Sequence, residues 1–576
     1  LKMNNTNNEG YKHAGLFCSL KNAAVENLVI DSSCSFNGDY IGALSVRVEG
    51  SLTVKHTTNN AVVNGILRVG GFIGYVQFLK QPTVISFEGC INHANVTGSR
   101  TDIGGFLGYV IENTNMTVTI SNSINNGNVT GIGGSLGGFV GYIGNNTNMS
   151  MTISSSTNNG FIAGGGAFGG FVGIVSNNTN MTMVISNSIT NGNVIGGGSA
   201  GGFVGSIYHS TNMIMVIFNS SHNGMITGKN CVGGFVGLIW MSTNMAMTIS
   251  NIINNGNVAG GDHVGWLFGY IESSTNMNVI VSDTTNNGTI TGNGYVGGFV
   301  GFIVGNSQMS ITIANSTNNG DVISSVSNAG GFVGTISNNR NMNITISNST
   351  NTCTVTGMSW YVAGVIGLIC NNIQMTMTIS NLINNGTVAG ETRIGGFVGE
   401  FWNNTSIGMN ISNSSNDGSV TGSGQFVGGF IGASSDNTKM NMTVSNFISN
   451  GNVAGSGCVG GFVGSVYSNT KASLTISMST NNGNISVSGG VVGGLVGYIY
   501  SPSDSHSVTL DITNSANKGS VSAKQGIACG FIYVSLKYYT NVNTTVKNSI
   551  NKGSVNAGTN AYGITNIITE ARNVVS

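Results

Sequence analysis

Residues 137–160 read GGFVGYIGNNTNMSMTISSSTNNG, and residues 169–192 read GGFVGIVSNNTNMTMVISNSITNG. Each stretch runs in the same order: a Phe-Val pair set between glycines, a polar corner rich in Asn, a run alternating Met or Ile with Ser, Thr or Val, and a turn ending in Asn-Gly. Alternation with period two is the mark of a strand with one face buried. The second stretch starts 32 residues after the first. A unit this short cannot bury its apolar face alone, so it has to stack on copies of itself.

The rhythm runs through most of the chain. Gly-Gly-Phe/Leu-Val/Ile/Leu-Gly recurs twelve times, closing at Gly74, Gly108, Gly141, Gly173, Gly205, Gly237, Gly301, Gly334, Gly399, Gly432, Gly464 and Gly497. Degenerate copies close at Gly269 and Gly367, which brings the spacing of closing glycines to 32, 33 or, once, 34 residues. A second block keeps phase with the first, as in Asn148 to Ser154 and Gln374 to Ser380. A third, Asn-Asn-Gly-x-Val/Ile with close variants, as at Asn126-Gly127-Asn128-Val129 and Asn255-Gly256-Asn257-Val258, reads as a tight turn entering a short strand. No segment has helical periodicity. A propeller blade needs four strands and about 40–50 residues. The expected fold is therefore all-β: a parallel β-helix (β-solenoid) of about 32–33 residues and three short strands per coil.

In such a stack, equivalent residues form columns. Phe72, Phe106, Phe139, Phe171, Phe203, Phe235, Phe299, Phe332, Phe397, Phe430 and Phe462 are expected to make an interior aromatic column, with Leu267, Val365 and Leu495 substituting. Met149, Met181, Met213, Met245, Met277 and Met309 make a second interior row. Asn122, Asn187, Asn219, Asn251, Asn315, Asn348, Asn381, Asn413 and Asn446 are expected to form an amide ladder. A further Asn column, Asn126, Asn159, Asn191, Asn223, Asn255, Asn287, Asn319, Asn385, Asn450 and Asn482, precedes the turn glycine. The glycines flanking Phe-Val are expected to permit positive φ and close backbone approach at a corner. Thr119, Thr152, Thr248, Thr312, Thr345, Thr378, Thr443 and Thr475 share an outward column, but its neighbour is too mixed for the regular two-column array of an ice-binding face.

Composition agrees with this architecture. The chain has 90 Gly, 2 Pro and 40% hydrophobic residues, so it can bury a core that a flexible glycine-rich linker lacks. Only 7% of residues are charged and the formal net charge is zero, which argues against nucleic acid and against a polybasic membrane contact. No run of 18 apolar residues occurs, so no membrane span is expected within these residues. Residues 1–60 read as degenerate N-terminal coils or a cap, 61–535 as the regular repeat solenoid, and 536–576 as continuing degenerate C-terminal coils. The start at Leu1-Lys2 and the missing C-terminal cap suggest a fragment of a larger protein.

Nothing in the sequence assigns a catalytic, cofactor-binding or metal-ligating residue. Gly-x-Gly-x-x-Gly occurs at Gly164-Gly166-Gly169, Gly292-Gly294-Gly297 and Gly455-Gly457-Gly460, but a strand follows where a dinucleotide site needs a helix. Glu391, Glu400 and Asp417 with Arg393 are the densest charges of the regular region and read as a surface cluster, whereas polysaccharide cleavage requires two carboxylates flanking one bond. The seven histidines share no column, and the Met row reads as packing before it reads as a copper(I) site. The eight cysteines show no disulfide framework, although Cys18–Cys34 and Cys353–Cys370 could approach on neighbouring coils. Sequons such as Asn115, Asn148, Asn180, Asn343 and Asn441 permit glycosylation without arguing for it.

The Gly-Gly-Phe-Val-Gly core followed by Asn-Asn-Gly-x-Val resembles the GLUG-type repeat of bacterial and protist surface proteins, over roughly residues 60–535. The inserted Asn-x-Asn-Met-x-Met-Thr-Ile strand lengthens the family's usual period. The resemblance implies an adhesin-like or stalk-like role, an extracellular or cell-surface location and no catalytic residues. Implied partners are host-cell or matrix proteins or glycans, held by multivalent contact. The alternative is a polysaccharide-binding or polysaccharide-cleaving β-helix.

Overall fold

The computed structural model describes residues 2–3, 12–358, 360–500, 505–535, 542–562 and 565–568. Among them every regular element is a strand, and no helix occurs. The chain divides into two compact units, residues 1–288 and 289–576, which together hold about 17 turns of β-solenoid. The division falls inside the regular repeat region. One coil of the first unit runs through Val172–Ser176, then Thr182–Ser186 and Ile189–Thr190, then Val194–Gly196 and Ala200–Gly201. These lie in three different parallel sheets, here called the valine, methionine and glycine sheets. Each coil is thus three-faced, and two of the faces bend midway. Neighbouring coils pair in register: in the first unit Val140 with Val172, Met151 with Met183 and Ile162 with Val194. In the second unit the corresponding pairs are Ile366 with Val398, Met377 with Met409 and Val388 with Val420.

The interior is what period two and the repeat together dictate. Met116–Ser121 alternates buried and half-buried residues along its whole length, so every second side chain points into the coil. The expected Phe column is fully buried, with ring centroids 4.7 Å apart for Phe106–Phe139, 4.4 Å for Phe203–Phe235 and 4.7 Å for Phe299–Phe332. All six methionines of the expected row are buried, and Met151, Met183, Met215 and Met247 add a second buried row two residues on. Each such side chain contributes roughly 1.5–3 kcal/mol by leaving water, which is how a chain this poor in charge stays folded.

Of the two expectations about the corner glycines, close backbone approach holds and positive φ needs correcting. The glycines around Phe-Val do not have positive φ. They are glycine because coils touch there: a Cβ on Gly105 would lie 2.1 Å from the carbonyl oxygen of Gly138, and one on Gly138 would lie 2.1 Å from that of Gly170. The left-handed backbone falls instead on Asn. In the first unit Asn145, Asn148 and Asn187 have φ of 52°, 54° and 50°, and their counterparts in other coils follow suit. Asn tolerates this region better than other residues with a Cβ, so the Asn-rich composition marks the bends of each coil.

The Asn ladders also differ from expectation in placement. The Asn122 column is an exposed bend column at φ near 50°, and only stretches of it are bonded, as from Asn251 to Asn219 (2.7 Å) and Asn381 to Asn348 (2.9 Å). The Asn126 column is a more continuous ladder, but exposed: Asn159 donates to Asn126, Asn191 to Asn159 and Asn223 to Asn191, each at 2.8 Å. Two buried ladders lie elsewhere. In the first, the amides of Asn92 and Asn125 donate to Asn125 and Asn158 at 2.8 Å, and Asn125 also caps the Gly127 carbonyl at 2.9 Å. In the second unit it runs from Asn318 through Asn351 and Asn384 to Asn416. The other buried ladder joins Asn113, Asn146 and Asn178, and in the second unit Asn306 through Asn339, Asn372, Asn404 and Asn437 to Asn469, with bonds of 2.9–3.1 Å.

Toward the ends the period changes. Residues bonded across coils are 29 positions apart at Asn22–Ser51 and 36 apart at Asn481–Asn517. The described part of residues 1–60 is built of coils, with Val25 paired to Val54 and Thr58 to Val29. In the 536–576 segment, residues 542–562 and 565–568 continue the strands, while 536–541, 563–564 and 569–576 lie outside the described residues.

Candidate functional site

Most of the surface repeats itself; one seam does not. It runs where the glycine sheet turns into the valine sheet, and it is lined by the residue two before the Gly-Gly pair and the residue after the closing glycine. These two stand seven positions apart and meet across the corner. Asn328 Nδ2 donates to Thr335 Oγ1 at 2.8 Å. His263 stacks on Tyr270 with centroids 4.2 Å apart, and Tyr295 on Phe302 at 4.3 Å. In the first unit Arg68 reaches over Tyr109, with Cζ 4.3 Å from the ring centroid, and is flanked by Tyr40 and Tyr75 at 5.4 Å. Its Nη1 donates to Gln77 Oε1 at 2.8 Å, and Gln77 passes a bond to Glu112. Burial raises the Tyr109 phenol to about 12, so it remains a donor throughout the physiological range.

The same corner overturns the reading of Arg393, Glu400, Glu391 and Asp417 as a surface charge cluster. Glu400 is buried, and its Oε2 lies 2.8 Å from Arg393 Nε as an ion pair. Ser435 Oγ donates to its other oxygen at 2.7 Å, and Tyr467 Oη reaches the same oxygen at 3.5 Å. Burial pushes the Glu400 carboxyl upward, and Arg393 opposes that shift. Tyr361 and Phe426 cover the guanidinium from the adjacent coils, at 5.4 and 5.7 Å. Glu391 and Asp417 do not join this pair. Glu391 borders a shallow open trough with Gly357 and Gly390, and Asp417 accepts from Asn450 and Ser415 at the Asn turn. A pair seven residues apart across a bend is invisible to a reading by strand period; a charge at both seam positions of one repeat is the signal that would have found it.

Neither anticipated cysteine pair forms a disulfide. Cys353 lies at the buried Asn ladder, 3.0 Å from Asn351 Oδ1, whereas Cys370 belongs to the valine sheet and bonds Ser337. Cys18 is on a valine-sheet strand and Cys34 on the turn before the glycine sheet, so both proposed pairs face different directions. Cys231 Sγ approaches His263 Nδ1 at 3.8 Å. Burial lifts the Cys231 thiol to about 12 and lowers the His263 imidazole to about 4, so both are neutral near pH 7 and no thiolate–imidazolium nucleophile results. Among the described residues no three His, Cys, Asp or Glu side chains converge as metal ligands, and no helix is long and apolar enough to cross a membrane. Each Gly-x-Gly-x-x-Gly ends in a strand, as Gly164 and Gly169 do in Ile162–Gly164 and Ala167–Gly169.

In each unit the outer face of the methionine sheet is built of parallel strands and carries mostly neutral side chains. Its Thr column runs Thr119, Thr152, Val184, Val216, Thr248, Ile280 in the first unit and Thr312, Thr345, Thr378, Asn410, Thr443, Thr475 in the second. Beside it in the second unit a hollow of about 260 Å³ opens at Gly408. Comparison of the chain with protein-family models, with curated proteins and with solved structures finds no match. The likeness to GLUG-type repeats therefore rests on the motif alone.

Proposed function

We propose that the chain is a repetitive structural and adhesive scaffold, exposed outside a cell, whose coils present the same uncharged groups many times over. The observation that carries this reading is the exposed ladder at Asn115, Asn148, Asn180, Asn212, Asn244 and Asn276, in which each amide after Asn115 donates to the preceding coil at 2.8–3.0 Å. Side chains locked together in this way form a pre-organised surface, and identical sites at fixed spacing gain avidity without any one strong contact. The GLUG-like glycine phase favours the same role and location. A non-catalytic reading is supported by Glu400, whose carboxylate is held by Arg393 instead of facing a second carboxylate. The polysaccharide-binding alternative shares the uncharged face, and its cleaving form would need a convergent pair of acids.

The test is binding of the whole chain to host cells, matrix proteins and glycans immobilised at graded density. Retention should rise steeply as spacing falls toward the coil repeat. Binding that depends only on total ligand, or none to any surface, contradicts an adhesive role. Protease shaving of intact cells tests the location, since an exposed chain is lost from the surface fraction.

A further inference from the structure

The hollow in the methionine sheet centres on a glycine that the fold does not need. Gly408 lies inside the twelve-residue strand Thr405–Asn416. Its column reads Ser310, Asn343, Thr376, Gly408, Asn441, Ser473 and Thr509, so every other coil of the second unit that is paired there carries a polar side chain. The corner glycines are compelled by neighbouring backbone, as at Gly399, where a Cβ would meet the Gly367 oxygen at 2.3 Å. A Cβ on Gly408 would meet only Thr376 Cγ2, at 3.9 Å, and its φ is not left-handed. Glycine within a strand weakens it, and where no bulge or bend calls for it, it marks close approach by something from outside.

What surrounds the gap defines the visitor. Thr376 and Asn441 flank Gly408 on the coils either side, and Thr378, Asn410 and Thr443 form the adjoining column. All five are neutral hydroxyls or amides that point outward. Thr376 Oγ1 already donates to Asn343 Oδ1 at 2.8 Å, which leaves its lone pairs turned to solvent as acceptors. The rim holds no charge for a phosphate or carboxylate, and none of the Trp, Tyr or Arg anchors on which protein interfaces rely. At about 260 Å³ the hollow is smaller than the pockets of about 300–1,000 Å³ that enclose drug-sized ligands. It fits one ring of a longer molecule lying on the face.

We propose that Gly408 and its rim of Thr376, Thr378, Asn410, Asn441 and Thr443 form a subsite for a single neutral sugar residue of a glycan chain. This rests on the adhesive reading above and names its ligand class. The experiment uses a glycan array with the whole wild-type chain, Gly408→Asn and Gly408→Ala, each with its thermal unfolding and its cell binding. Asn restores the column and fills the hollow; Ala adds a methyl that the strand accommodates. Expected are wild-type binding to uncharged glycans that persists in high salt, loss of about tenfold or more in Gly408→Asn through displaced hydrogen bonds, a smaller loss in Gly408→Ala, and unchanged or raised stability in both. Equal glycan binding by wild type and Gly408→Asn overturns the subsite, as does binding confined to acidic glycans. Absence of any glycan binding with cell binding intact also overturns it, while leaving the adhesive reading standing.

Discussion

Asn125 and Asn126 are sequence neighbours with the same side chain and opposite surroundings: Asn125 is buried in one ladder and Asn126 exposed in another. The buried ladder satisfies every amide only if the column is unbroken, and it is broken twice. His222 stands between Thr190 and Asn254, and Ser449 between Asn416 and Asn481. At these breaks His222 Nε2, Asn254 Oδ1, Ser449 Oγ and Asn481 Oδ1 are buried without a hydrogen-bond partner. His222→Asn and Ser449→Asn should therefore each stabilise their unit by about 1–2 kcal/mol, measured by denaturant unfolding. His222 also makes the first unit acid-sensitive. Burial holds its imidazole down to about 4 against an ordinary value of 6.5, so the unfolded chain takes up a proton first as pH falls. Stability is full above pH 6.5, drops by about 3 kcal/mol on the way to pH 4 and loses nothing more from this group below that. In His222→Asn that part of the pH slope should vanish; an unchanged slope would assign the acid sensitivity elsewhere. The interior Phe and Met columns were legible because alternation and repeat agree. Which Asn of Asn-Asn-Gly faces inward was not, because the bend before it resets the parity that alternation supplies.

Strands and corners explain what composition leaves ambiguous. The corner glycines serve the close approach read from the sequence but not the positive φ, and the left-handed bends are made by Asn, Ser and a few others. Gly105→Ala should thus destabilise the first unit by about 2–4 kcal/mol, since the methyl meets a backbone carbonyl oxygen of the next coil at a closely packed corner. A neutral outcome in thermal unfolding would contradict the contact. The corner also creates the ion pair of Arg393 and Glu400, which no period-two reading of either strand brings together. Arg393→Met alone leaves a buried carboxylate unpaired and should cost about 3–5 kcal/mol. Adding Glu400→Leu should recover most of that, because Leu368 occupies the same position one coil earlier. If the double variant unfolds as readily as the single one, the pair has a role beyond mutual compensation.

At the scale of the molecule, each unit grows by adding coils, so its length is not bounded by the size of one core. Hydrogen-bonded neutral side chains take the place on the surface that charge occupies in ordinary proteins, and this fits an object that repeats weak contacts. The rhythm, the three short strands of each coil and the uncharged character could be read from the residues; the seam chemistry and the Gly408 hollow could not, since both arise from side chains of different coils brought side by side. All of this depends on parallel coils stacked in register. Ser150 and Thr182 are outward-facing partners on adjacent coils of the methionine sheet, at the strand spacing of ~4.8 Å that a disulfide can bridge. The decisive measurement is peptide mass spectrometry after mild oxidation of Ser150→Cys/Thr182→Cys, beside Ser150→Cys/Val184→Cys. The stacked solenoid predicts an efficient cross-link in the first variant and little in the second. Equal cross-linking in both, or a preference for the second, would contradict the register on which every column rests.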